Sequence, residues 1–385
     1  IVSQDVSNEL FFRYSWIVFP LGFFILAFNL FDTYARALGN AVTGAFIKEI
    51  LQRFLLLGSV VFFGYTSLIE FDEFILLYAG AFSASGVFLV IYLIIKNQFV
   101  LTPRLNYLRK GIRRVMFNVS LYAILQGFGN ILVQRIDTVM ISFYLTLEET
   151  GVYGTTFFFG LLILMPSRAL SRISSNVLAQ ALKDKNYERV RSIYRKSSVN
   201  QYWIGVLVFI GLWGNIDNVF IILTDKFRIG EYVIFFIGLS NLVNTIIGAN
   251  VQIIQLSKYY RYLAYLLIVF VVLIVATNFA FIPFFGITGA AIASFISVLI
   301  YSLIRLIIVY RKFGMHPFEW AHVRISIVAL VSYSVALIVP EISMFIVDIF
   351  VRSAVILVVY LALSILFNTS EDLNKIISQL KSKLN

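Results

Sequence analysis

The chain has 385 residues, 60% of them apolar and 13% charged, with a formal net charge of +11 and a mean hydropathy of +0.90. Soluble domains run at roughly 45 to 50% apolar and about 25% charged, so this composition excludes a water-facing surface and points to a bilayer as solvent. The lack of cysteine excludes a disulfide scaffold, a thiolate metal site and a Cys nucleophile, and two histidines leave little material for a zinc centre.

Eleven apolar runs follow one another, near residues 14–35, 43–64, 74–95, 115–142, 152–178, 202–222, 232–254, 262–282, 287–310, 323–340 and 344–367. Most reach the roughly 20 residues a helix needs to cross the hydrocarbon core. They are continuous and lack the alternation of a membrane β-strand, which predicts an all-α, polytopic integral membrane bundle. In the first two runs Asp32 with Arg36, and Glu49 with Arg53, stand four residues apart, as do Asp348 and Arg352 in the last. Such spacing predicts local ion pairs that lower the cost of insertion.

The run from 115 carries Gln126, Asn130, Gln134 and Asp137 within an arc of about 80° at 100° per residue, with Arg135 on the opposite side. The run from 232 carries Asn241, Asn244, Gly248, Gln252 and Gln255 within a similar arc, with Asn250 pointing away. Polar groups inside a membrane are costly and pair with one another or line aqueous cavities. Two long stripes suit the wall of a cavity that accepts a polar solute; the alternative is interhelical glue at about 0.6 kcal/mol per amide. Arg168 and Arg172, one turn apart with Ser175 beyond, offer two guanidinium forks to a phosphate or pyrophosphate, or else anchor the span at its basic end. Residues 183–198 place Tyr187, Val190, Ile193 and Tyr194 on one face of a basic helix, which predicts a segment lying at anionic head groups. After Thr369, a capping box with Asp372 and apolar residues at helical spacing predict a short amphipathic tail over 368–385.

The net charge does not indicate nucleic acid, because 26 of the 31 Lys and Arg fall in alternate connecting segments. The other segments collect Glu70, Asp72, Glu73, Glu148, Glu149, Asp217, Asp225, Glu231 and Glu341. The positive-inside rule therefore predicts a multi-pass membrane protein with a cytoplasmic C-terminus. An odd number of spans then puts Ile1 outside, so the sequence reads as a piece whose preceding helices are missing. No GxxxxGK[ST], HExxH or GxSxG motif is present, and no loop is long enough for a soluble catalytic domain. The expectation is a transporter and not an enzyme.

Several stretches carry a resemblance: YARALGN at 34–40, QRIDTVMISFYLTLEETGVYG at 134–154, NLVNTIIGANVQIIQLSKYYRYLAYLL from Asn241, and FIPFFGITGAAIASF from Phe281 on to Gly314 and Phe318. In this order they resemble the polysaccharide transporter family, the O-antigen and lipid-linked oligosaccharide flippases of the MATE-like exporter superfamily. The resemblance implies a two-lobed MATE-like fold with six helices per lobe. Residues 1–114 would be a partial N-lobe of three helices, 115–310 a C-lobe of six, and 311–367 two extra C-terminal helices. It also implies movement of undecaprenyl-pyrophosphate-linked oligosaccharide between leaflets by alternating access, with possible coupling to a proton or sodium gradient. The partners implied are the lipid-linked substrate, the bilayer and other polysaccharide assembly proteins. On this reading the cavity residues are Gln126, Asn130, Gln134, Asp137, Asn241, Asn244, Gln252, Gln255, Arg168 and Arg172. A MATE-type cation-coupled drug exporter would favour buried carboxylates, and a membrane glycan polymerase or ligase would need a large external loop.

Overall fold

The structure is a computed structural model that describes residues 13–38, 40–65, 70–99, 111, 113–114, 116–117, 120, 135–370 and 372. It divides into two compact units, Ile1–Val119 and Ser120–Asn385. Among the described residues six helices are long and apolar enough to cross a membrane, seven if one bent pair counts as a single span.

In the first unit, a short 3-10 turn leads into α1 (Val18–Ala37). Next, α2 (Ala41–Phe46) runs through a π-helical turn at Ile47–Leu51 into α3 (Gln52–Tyr65). The longest helix among the unit's described residues is α4 (Phe71–Ile95), whose start is fixed by a capping box between Glu70 and Glu73. Both α1 and α3 pack on α4, around Phe28, Ile47 and Leu89. The buried amide of Gln52 donates to the Phe82 carbonyl at 2.9 Å and so ties α3 to α4. Large apolar side chains such as Phe19, Leu26 and Phe54 are exposed, which is the arrangement expected where the surroundings are acyl chains. The expected pairs Asp32–Arg36 and Glu49–Arg53 form at 3.0 and 3.8 Å.

The second unit contains a helix over 135–144 (α5), then α6 (Leu147–Leu161), α7 (Leu164–Lys183) and α8 (Tyr187–Trp213). A 62° bend separates α8 from α9 (Ile216–Leu223). After a 3-10 turn come α10 (Glu231–Ile246), α11 (Asn250–Gln255), α12 (Arg261–Phe313), α13 (Trp320–Ile338) and α14 (Phe345–Leu366). The central element is α10, which packs against α6, α8 and α12. Its approach to α6 is close because Gly160 faces Ile237, where a Cβ would stand 2.6 Å from Ile237 Cγ2. Small residues at such contacts let backbones meet where lipid offers no hydrophobic drive.

Two interruptions shape this unit. At Gly286, φ is 58° and ψ is −137°, so α12 folds back on itself as a hairpin and supplies the two spans expected over 262–310. The arms run antiparallel, with the Thr277 and Ser297 hydroxyls 2.8 Å apart and the Phe270 and Tyr301 ring centres 4.7 Å apart. The other break, at Gly248 with φ +52°, splits the single span expected over 232–254 into α10 and α11. Ser198 of α8 lies against that break and donates to the Ile246 carbonyl, which the break frees from the helix ladder.

The basic segment 183–198 also departs from expectation. It joins α7 to α8 and forms the first turns of α8, with Val190 and Tyr194 fully buried beside Leu178, Ala249, Ile253 and Val309. Of the apolar face expected at the membrane surface, Val190 and Tyr194 are taken up by protein, Ile193 is half-buried and Tyr187 is exposed. Asp348 and Arg352 form the third expected pair, buried at 3.2 Å. Thr369 donates back to the Ser364 carbonyl and Asp372 accepts from Asn200; the remainder of the expected tail helix lies outside the described residues.

Candidate functional site

Among the described residues of the second unit, Asp137 of α5 carries a buried carboxylate that, unlike Asp348, has no arginine beside it. It accepts from the Tyr153 hydroxyl of α6 at 3.0 Å and from the Asn278 amide of α12 at 2.7 Å, and also from the Ser294 hydroxyl on the opposite arm of the same hairpin. All three donors are neutral, and among the described residues no Lys or Arg pairs with the carboxylate. A lone charge in a dry interior is disfavoured by several kcal/mol unless a proton or cation compensates it. The arrangement suits uptake of a proton or a small cation, and it clamps both hairpin arms to α5 and α6.

A second polar cluster lies further along the hairpin. Arg305 stands eleven residues after Ser294, roughly 16 Å along the helix and about 20° around it, so both occupy one face of the second arm. Its side chain is 4% exposed. The guanidinium donates to Asn244 Oδ1 at 3.0 Å and Ser302 Oγ at 2.8 Å, and it lies 4.4 Å from the Tyr301 ring centre. No carboxylate pairs with it among the described residues, and its Nε has no acceptor. Asn250 is fully buried and donates to the Tyr194 hydroxyl at 3.0 Å, while its Oδ1 has no donor. A buried guanidinium held by neutral oxygens retains unspent charge and donors for an anion.

The stripe residues on α10 and α11 do not share one environment. Asn241 is buried and donates to the Gly160 carbonyl at 2.9 Å, bridging α10 to α6. Asn244 is half-buried and serves Arg305. Beyond the Gly248 break, Gln252 is half-buried with a buried Oε1 that has no donor, and Gln255 is exposed. Arg168 is exposed on α7 and Arg172 lies one turn further along the same helix, while Ser175 donates back to the Ser171 carbonyl. Arg135 is exposed at the start of α5. Gln126, Asn130 and Gln134 lie outside the described residues.

Sequence reasoning passed over Tyr153, Asn278, Ser294 and Arg305. Asn278 carried a usable signal, since it is the lone amide in a run of apolar residues from Leu266 to Phe285. Arg305 read as one more cation at a basic boundary, yet the fold places it inside.

These features define a polytopic helical membrane bundle with polar groups sequestered inside one of its units. No known sequence family and no curated protein matches the chain. Among solved structures, its fold is similar to that of the lipid II flippase MurJ in an inward closed conformation. The TM-score is 0.66 at 15% identity, over 91% of this chain and 73% of that one. At that identity the likeness establishes the fold, a MATE-like arrangement of membrane helices.

Proposed function

We propose that this chain is a flippase that moves a lipid-linked, pyrophosphate-bearing oligosaccharide across the bacterial inner membrane by alternating access, with its C-terminus cytoplasmic. The observation that carries the reading is the MATE-like fold shared with a lipid-carrier flippase. The chemistry of the second unit supports it. Arg305 and Asn244 supply a guanidinium and an amide at one level, suited to a phosphate and a sugar hydroxyl. Asp137 supplies a buried carboxylate that would take up a proton or sodium ion, linking the hairpin's position to an ion gradient. Arg168 and Arg172 remain candidates for first contact with the pyrophosphate, and Gln126, Asn130, Gln134, Gln252 and Gln255 for the path of the head group. O-antigen or another surface polysaccharide repeat unit is the substrate class this reading favours.

A MATE-type drug exporter is the second reading, and Asp137 is the observation that favours it, because a buried carboxylate also suits a cationic drug. Proteoliposomes containing the purified protein and a fluorescent undecaprenyl-pyrophosphate-linked saccharide distinguish the two. A quencher outside the vesicles should extinguish the label to completion within minutes for the flippase, against about half in protein-free vesicles. An unchanged half-quenching, together with ion-dependent uptake of an organic cation, would overturn the flippase reading.

A further inference from the structure

At the basic end of the second unit, three separated segments enclose a cavity of about 510 Å3, a size within the roughly 300 to 1,000 Å3 of ligand sites. The first turns of α8 supply Arg191, Arg195 and Lys196, the start of α13 supplies Arg324, and the segment after α14 supplies Thr369 and Asp372. Four cations therefore face one concavity, together with Glu188, Glu319 and Asp372. The positive-inside rule asks only that Lys and Arg stay on one side of the membrane; it does not ask them to converge.

Two of the three acids are already engaged. Glu319 caps α13 by accepting from the His322 backbone N–H, and its carboxylate forms an ion pair with Arg195 at 3.7 Å from Nε, too long to be a hydrogen bond to that nitrogen. Asp372 accepts from Asn200 at 2.7 Å. The Arg324 Nη1 donates to the Phe367 carbonyl at 2.8 Å, which fixes the guanidinium against the end of α14. Yet the Nε of Arg195 and the Nε of Arg324 are both buried without an acceptor. Leaving one such donor unmet is ordinarily avoided, and here two occur in the wall of a single basic cavity. Val190 and Tyr194 of this helix are buried in protein, and its Arg191, Arg195 and Lys196 line the cavity.

We propose that this cavity, between the first turns of α8, the start of α13 and the segment after α14, binds a phosphate-bearing anion through Arg195 and Arg324. Planar guanidinium forks match phosphate oxygens, and a lining whose apolar members among the described residues are Val199 and Ala321 suits a head group and not an acyl chain. The source is either an anionic phospholipid of the adjoining leaflet or a soluble phosphate. The inference does not depend on what the protein transports.

The test uses the full protein in neutral detergent, with thermal unfolding read against phosphatidylglycerol, phosphatidylcholine and inorganic pyrophosphate at fixed ionic strength. Phosphatidylglycerol or pyrophosphate, but not phosphatidylcholine, should raise Tm by on the order of 5 °C at a hundredfold excess over Kd. The Arg195→Ala, Arg324→Ala double variant should bind at least tenfold more weakly. Should that variant fail to fold, Arg195→Lys with Arg324→Lys keeps the charge while removing the forks, and should still lose most of the shift. A Lys258→Gln, Lys312→Gln variant loses the same charge outside the cavity and should retain the full shift. A response to the lipid alone assigns a head-group site, and a response to pyrophosphate assigns a soluble one. No shift with either ligand, or an equal loss in the Lys258, Lys312 control, overturns the proposal. Saccharide movement between leaflets is measured separately, so this inference and the transport reading fail independently.

Discussion

Asn241 and Asn244 sit one turn apart on α10 and look equivalent in the sequence, but they have different partners. Asn241 bridges to a backbone carbonyl on α6, whereas Asn244 holds the buried guanidinium of Arg305. Replacing Asn241 with Ala should therefore cost about 0.6 to 1.7 kcal/mol of stability and leave transport near normal, as measured by unfolding in detergent and by the vesicle quenching assay. Arg305→Gln should behave in the opposite way: it removes an uncompensated buried charge, so Tm should hold or rise while saccharide movement falls at least tenfold. A variant that loses stability and transport in step would make Arg305 a structural residue only. The same logic applies at Asp137. Asp137→Asn keeps the shape but cannot bind a proton or cation, so vesicle transport in this variant should no longer respond to an imposed pH or sodium gradient. A response equal to that of the unsubstituted protein would exclude Asp137 from coupling.

The helices themselves tolerate less change where glycine sets the geometry. Gly248 combines φ +52° with a neighbour so close that a Cβ would stand 2.6 Å from the Ser198 nitrogen. Gly248→Ala should thus destabilise by more than the about 1 to 3 kcal/mol of backbone strain alone, visible as a loss of folded protein on size exclusion or a Tm lower by several degrees. This break was not legible in the sequence, because the polar stripe of Asn244, Gly248 and Gln252 keeps helical spacing through the glycine and hydropathy cannot distinguish a continuous span from an interrupted one. The turn at Gly286 was legible, since Pro283 and Gly286 punctuate the run and two full spans flank them. Periodicity likewise placed Asp137 among polar neighbours on its own helix. Its actual partners on α12 are 141 and 157 residues away, and pairing at that separation leaves no local trace. Asp348 and Arg352 could be paired from sequence because four residues of helix bring their ends together wherever the helix is placed.

On the scale of the whole molecule, the distribution of charge predicts an orientation that experiment can test. In α8, charged residues crowd between Glu188 and Lys196, and none follows until Asp217. The uncharged stretch between them is 20 residues, of which 17, about 25 Å of helix, lie in α8 before the bend, close to the hydrocarbon thickness. Its far end meets the acidic segments, where Lys226 pairs with Glu148 at 2.7 Å and Arg228 pairs with Asp217. The chain contains no cysteine, so single thiols can be introduced without removing any. In intact cells, an impermeant maleimide should label the Glu148→Cys variant and leave Lys185→Cys unlabelled until the membrane is permeabilised. Labelling of Lys185→Cys from outside would invert the topology. The basic cavity would then open to the exterior and the Asp137 end of the hairpin to the cytoplasm, so an outward-directed release of lipid-linked saccharide would have to begin at the carboxylate instead of at Arg305.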